Sequence, residues 1–202
     1  MLTYWSGFLL MYICLMTRSE RQELIDKGLL LPLMEEFYTI QGEGYHKGTA
    51  AYFVRIGGCD VGCHWCDVKE SWLAELHPPT EASKIVENAA KYSNTIVVTG
   101  GEPLTWNMTP LTEQLKAKGL QTHIETSGAY PLTGMWDWIC LSPKKTKLPY
   151  DLSVVETRLL GGWENNYEII LLEAQNAYAF YWFQEHIGIK LHIFLTIFLR
   201  AI

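Results

Sequence analysis

The chain has 202 residues, 49% of them hydrophobic, and a formal net charge of −6. That length suits one domain with a real core, and the acidic balance argues against wrapping long DNA or RNA, though not against acting on a nucleotide precursor. Its five cysteines, Cys14, Cys59, Cys63, Cys66 and Cys140, are odd in number and uneven in spacing, unlike the disulfide framework of a small secreted domain, and a reducing cytoplasmic compartment fits them better.

Residues 1–15, MLTYWSGFLLMYICL, are apolar and uncharged. A spanning helix needs about 20 apolar residues, and a signal peptide wants a basic start and a small-residue cleavage site. The run reads as an upstream extension ahead of Met16, with a membrane-associating segment as the rival reading; no membrane is expected as a partner. The charged text from Met16, MTRSERQELIDKG, reads as the start of the working domain, which extends to about residue 150.

EFYTI (36–40) and AYFVRI (51–56) read as strands, being rich in aromatic and β-branched residues. Thr80 is placed to cap a helix over EASKIVENAAKY, whose Ile85, Val86, Ala89 and Ala90 share a face. TIVVTGG (95–101) is a buried strand running into a glycine loop. PLTEQLKAKG (110–119) is an amphipathic helix with Gly119 as its terminal cap. QTHIETSG (121–128) and WDWICLSP (136–143) read as two more strands. This alternation implies an α/β fold, a mostly parallel sheet with helices outside, whose ligands sit beyond the carboxyl ends of the strands. TGGEP, ETSG and SPKK all fall there. Residues 151–202 form an atypical apolar C-terminal segment of the same domain: YEIILLEAQNAYAFYWF suits a buried helix, and IFLTIFLRAI a strand or an exposed apolar end.

Three of the five cysteines stand in CDVGCHWC, residues 59–66. Thiolates are soft ligands that suit zinc or iron–sulfur clusters. Structural zinc usually takes four ligands, and no second cysteine pair is present. Four-iron clusters are commonly held by four cysteines, so three leave one iron open for a substrate. A zinc site completed from elsewhere and three unrelated loop thiols are the alternatives.

The CxxxCxxC spacing with Trp65 before the third cysteine, followed by TGGEP at 99–103, resembles the signature of the radical S-adenosylmethionine enzymes. FYTIQGEGYHKGTAAYFVRIGGCDVGCHWCD (37–67), with QGEG upstream, an arginine four residues before the first cysteine, and SPKK at 142–145, is similar to the 7-carboxy-7-deazaguanine synthase family. The resemblance covers roughly residues 16 to 150. It implies an incomplete (β/α) barrel of radical S-adenosylmethionine type. It also implies conversion of 6-carboxy-5,6,7,8-tetrahydropterin to 7-carboxy-7-deazaguanine with release of ammonia, on the route to queuosine and related deazapurines. A reduced [4Fe-4S] cluster cleaves S-adenosylmethionine in that family, and the resulting 5′-deoxyadenosyl radical takes hydrogen from the pterin.

Carried over position by position, the resemblance makes Cys59, Cys63 and Cys66 the cluster ligands. Trp65, Cys66, Asp67, Gly101, Ser142, Pro143 and Lys144 become contacts of S-adenosylmethionine, and Ile40, Gln41, Gly42, Arg55 and Thr99 contacts of the substrate. Glu125 and Ser127 lie where the family approaches the ribose. A pterin amide edge suits Gln41, and its carboxylate suits the two-pronged guanidinium of Arg55. The family's magnesium site uses a hydroxyl residue directly after the CD of the cluster loop; here that position is Val68, which offers no side-chain oxygen to Mg2+. The family's closing segment, with a proline near the terminus, has no counterpart in residues 151–202. A homodimer and an electron donor such as flavodoxin or ferredoxin follow from the same resemblance. Two other readings share the cysteine triplet: an activase that installs a glycyl radical on a partner protein, and an iron–sulfur or zinc protein without turnover.

Overall fold

The computed structural model describes residues 16–42, 45–64, 66–142, 144, 146, 147 and 150, and the backbone of 167–169. The apolar extension 1–15, most of 151–202, Trp65 and Pro143 lie outside the described residues. In chain order the elements are α1 (Arg18–Asp26), β1 (Leu30–Ile40), β2 (Ala50–Ile56), β3 (Pro79–Glu81) and α2 (Ala82–Ala89). Then come β4 (Thr95–Gly100), α3 (Thr109–Ala117), β5 (Gln121–Thr126), β6 (Trp138–Leu141) and β7 (Tyr167–Ile169).

The strands form one open sheet in the order β3-β1-β2-β4-β5-β6-β7. From β2 to β7 every pairing is parallel, while β1 runs antiparallel to β2 and β3 antiparallel to β1. The sheet is not closed, in keeping with the incomplete barrel expected. Residues alternate across a strand, and the two faces differ in what they meet. Tyr52, Val54 and Ile56 of β2, Ile96 and Val98 of β4, Ile124 of β5 and Ile139 of β6 face outward onto α2 and α3. There they pack with Ile85, Val86, Ala89, Leu111 and Leu115 into the main core. Each such aliphatic side chain contributes about 1.5–3 kcal/mol when fully buried. The other face, here the inner face, carries Ala51, Phe53 and Val97 at its floor, covered by Phe37.

Several sequence expectations change. Thr80 does not cap α2: it lies in β3, its hydroxyl donating to the Pro78 carbonyl at 3.1 Å, and Glu81 takes the cap position without a side-chain bond. The short pairing of Leu30–Pro32 with Pro79–Glu81 holds that stretch extended, and the helix starts only when it ends. The charged run after Met16 is a helix, α1, opened by a capping box. The Thr17 hydroxyl accepts from the Glu20 N–H at 3.2 Å, and the Glu20 carboxylate accepts from the Thr17 N–H at 2.8 Å. No helix links β5 to β6. Residues 127–137 cross as a loop instead, and Tyr130 and Trp136 pack against the main core. The start of YEIILLEAQ, read as a buried helix, is strand β7; the rest of it lies outside the described residues.

Candidate functional site

The carboxyl ends of β2, β4, β5 and β6 bring four loops to one rim. The cysteine loop leaves β2 through Gly57 and Gly58. At Gly58 φ is 99°, and a Cβ there would lie 2.8 Å from the Trp106 ring, so the position favours glycine on both counts. The Gly58 N–H donates to the Ser71 carbonyl at 2.7 Å, the Cys59 N–H to Trp72 at 3.1 Å, and the Cys66 N–H back to Cys63 at 3.1 Å. Cys63 is buried, Cys59 and Cys66 are half-buried, and all three pack about Val61 and Ala129. Burial pushes the Cys59 thiol up, a hydrogen bond with the Val61 backbone opposes it, and the charges of Glu102, Cys63 and Cys66 add to the rise.

Among the described residues no three metal-ligating side chains converge on one ion. A four-iron cube takes each thiolate on a separate iron, so its ligands surround a volume rather than meet at a point. Three soft, mutually interacting thiols around one apolar floor fit that donor requirement.

β4 delivers the second loop. A Cβ on Gly101 would lie 2.6 Å from the Gly58 carbonyl oxygen and 2.7 Å from the Cys59 Cβ. Only glycine lets this strand end rest against the cysteine loop. The Gly101 N–H donates to Ile56 at 3.0 Å, and the Glu102 N–H to Gly58 at 2.9 Å. Glu102 itself is 1% exposed. Its carboxylate accepts from the Leu104 N–H at 3.1 Å, the Thr126 hydroxyl at 2.6 Å, the Ser127 N–H at 2.8 Å and the Ser127 hydroxyl. A buried carboxylate needs such partners. Glu102 therefore rivets the TGGEP loop to the ETSG loop. The sequence reading passed over it, although it stands inside the motif.

The inner face lies directly below this rim. Arg55 and Thr99 are register neighbours on β2 and β4. Thr99 is buried and Arg55 half-buried. The Arg55 Nε donates to Glu35 at 2.6 Å. A β-bulge makes that possible: Leu33 pairs with Ile56 but Glu35 with Arg55, so the extra residue turns Leu33 to the core and Glu35 to the inner face. Gln41, just beyond β1, donates its amide to the Glu125 carboxylate on β5 at 2.7 Å. Ile40 and Gly42 beside it are exposed. His46 lies over His123, with ring centroids 4.6 Å apart, and Tyr45 stacks on Trp138 at 5.1 Å. Burial, then the neighbouring His46, pulls His123 down to about 4, so it is neutral at pH 7. These four aromatic residues drew no functional reading from the sequence.

On the far side of the rim, Lys144 donates its ammonium to the Ser142 hydroxyl at 2.7 Å, and both are half-buried. Asp67 is exposed. Val68 presents no side-chain oxygen, and its carbonyl already accepts from the Ser71 N–H at 3.1 Å and the Ser71 hydroxyl at 2.7 Å. Residue 68 therefore does not fit a magnesium ligand. Asp60, inside the cysteine loop, is bound by Lys147, which also reaches Tyr130; sequence reading found none of these three.

Comparison with known proteins agrees with this arrangement. The model of the Radical SAM superfamily matches residues 53–140. A 7-carboxy-7-deazaguanine synthase from Flavobacterium psychrophilum is 76% identical over 134 residues, 66% of this chain and 64% of that protein. One from Buchnera aphidicola subsp. Schizaphis graminum is 34% identical over 148 residues, 62% of this chain and 68% of that protein. The crystal structure of QueE from Escherichia coli superposes with a TM-score of 0.63 at 25% identity, covering 84% of this chain and 82% of that one. The chain thus spans a little under two thirds of the length of its Flavobacterium relative. By its cysteine loop, its TGGEP loop, its open parallel sheet and these likenesses, the chain belongs to the 7-carboxy-7-deazaguanine synthase family of the Radical SAM superfamily.

Proposed function

We propose that this chain converts 6-carboxy-5,6,7,8-tetrahydropterin to 7-carboxy-7-deazaguanine with release of ammonia. The observation that carries the reading is the meeting of two kinds of surface at one rim. The cysteine and TGGEP loops lie in contact there, above an inner face bearing Arg55, Thr99, Gln41 and Glu125. Cys59, Cys63 and Cys66 would hold a [4Fe-4S] cluster, and Asp67, Gly101, Ser142 and Lys144 would contact S-adenosylmethionine. Together the two cofactors supply one-electron, hydrogen-abstracting chemistry.

The protein's part is binding, orientation and exclusion of water. The Arg55 Nε is held by Glu35, and its Nη groups would bind a substrate carboxylate. Gln41, braced on Glu125, offers its amide to the pterin amide edge. Tyr45, exposed and stacked on the buried Trp138, would provide aromatic surface for a flat ring.

Further expectations go with this reading: a homodimer, a flavodoxin- or ferredoxin-like electron donor, and a cytoplasmic setting that keeps Cys59, Cys63 and Cys66 out of disulfides and available to the cluster. Among the described residues no helix is long and apolar enough to cross a membrane. Magnesium, where it takes part, would be carried by substrate and water rather than by residue 68. The names of the relatives favour the synthase over a glycyl-radical activase or a cluster protein without turnover.

The test is anaerobic turnover of the full chain reconstituted with iron and sulfide, with a strong reductant, S-adenosylmethionine and the pterin. Formation of 7-carboxy-7-deazaguanine with 5′-deoxyadenosine supports the proposal. Formation of 5′-deoxyadenosine alone overturns the substrate assignment, and a cluster-loaded chain that forms neither supports the non-catalytic alternative.

A further inference from the structure

We infer that Lys147, Asp60 and Tyr130 form a clamp that holds the cysteine loop in shape before any cluster is loaded and balances charge beside it afterwards. The inference rests on reading the triplet as cluster ligands.

Asp60 directly follows Cys59. Its two carboxylate oxygens accept from the Lys147 ammonium at 2.8 and 2.7 Å. The same ammonium reaches the Tyr130 hydroxyl at 2.8 Å and lies 4.1 Å from the centre of that ring. The three residues come from three separate loops, after β2, β5 and β6, and Asp60 and Lys147 are 87 positions apart.

Two other contacts set the same turn against the same loop. The Thr146 Oγ1 lies 4.0 Å from the buried Cys63 Sγ. Lys144 and Lys147 pair across the turn as an isolated antiparallel bridge, so the Ser142–Lys144 stretch is carried by the turn that Lys147 anchors. Tyr130 also packs with Val61, Cys63 and Ala129 under the sulfurs.

The Lys147 and Asp60 side chains are 33% and 59% exposed, so the pair contributes little to global stability. What it restricts is local. Swinging the cysteine loop away from the loops after β5 and β6 breaks the Asp60–Lys147 pair, the Thr146–Cys63 contact and the packing of Tyr130 together. Charge matters too, because the potential of an iron–sulfur cluster follows the net charge around it. With both partners present the clamp is neutral. Removing Lys147 leaves an unbalanced anion beside the cluster, and removing the charge of Asp60 leaves an unbalanced cation.

The experiment uses the full chain and the variants K147M, D60N and K147R. In the metal-free proteins, hydrogen exchange of amides 60–66 is expected to quicken roughly two- to fivefold in K147M and D60N, the range an exposed ion pair supports. K147R should restore it. In the reconstituted proteins the cluster midpoint should fall in K147M and rise in D60N. A loop that was merely loosened would shift both in the same direction, and that result overturns the charge-balancing role. Unchanged exchange in both variants overturns the clamp. Should the wild-type chain take up no cluster while exchange still responds, the cluster reading fails and the clamp stands.

Discussion

The two faces of the sheet share the same strands and do opposite work. On the outer face Ile56, Val54, Ile96, Val98 and Ile124 are fully buried under α2 and α3. On the inner face, one residue along each strand, stand the buried Thr99 together with Arg55, His123, Glu125 and Trp138, which are bound to other polar and aromatic groups. Stability is concentrated on one side and the proposed site on the other, and period-two alternation keeps them apart. Substitutions on the outer face should therefore unfold the protein without touching the chemistry. Substitutions on the inner face and rim should do the reverse.

The largest effect that would break this division belongs to the rim. Cys63→Ala should abolish 5′-deoxyadenosine formation while the thermal midpoint of the metal-free protein stays close to wild type. Chromatography of the reaction and calorimetry read the two halves; residual cleavage at the wild-type rate would remove Cys63 from the ligand set. Next comes Leu111→Ala in the outer core. Deleting a fully buried leucine side chain costs about 2–5 kcal/mol, so urea unfolding should shift strongly, while turnover per folded molecule is expected to hold.

Arg55→Lys sharpens the comparison further. Lysine keeps the charge but loses the two-pronged geometry. The KM for the pterin should rise about ten- to a hundredfold, the loss of one charged hydrogen bond, while cleavage of S-adenosylmethionine without substrate continues. An unchanged KM would leave Arg55 as a partner of Glu35 alone.

The smallest expected effect concerns pH. Burial and His46 keep His123 neutral down to about 4 in the folded protein, with Asp137 opposing and Lys116 assisting, whereas an unfolded chain protonates histidine near 6.5. Between those values the unfolded state binds the extra proton. Stability from this group is complete above about pH 6.5 and is lost as the pH falls towards 4, by at most about 1.4 kcal/mol per pH unit. Urea midpoints at pH 7 and pH 5 should separate more for the wild type than for His123→Phe; equal separations would show that His123 does not titrate in this window.

The central strands were legible because buried runs such as TIVVTG and runs rich in aromatic and β-branched residues such as AYFVRI have no other good home. The cysteine triplet and TGGEP were legible as local motifs. The rest was hidden for physical reasons. α1 had its signal in Thr17 and Glu20, but a polar helix with no buried residue shows no apolar stripe. The first half of β1, interrupted by Pro32, pairs with a three-residue strand nearly fifty positions away. Glu35 reaches Arg55 only through a bulge, which a strict alternation would have placed on the wrong side. Gln41 meets Glu125 across 84 positions, and no spacing within either segment announces it.

Glu102 has a consequence for anyone recombining this chain with its relatives. Its carboxylate joins the end of β4 to the end of β5 through Leu104, Thr126 and Ser127. A crossover point between them would pair a glutamate from one parent with a hydroxyl cradle from the other. Residues 95–128 should instead be exchanged as one cassette, because the rivet and its socket are inherited together.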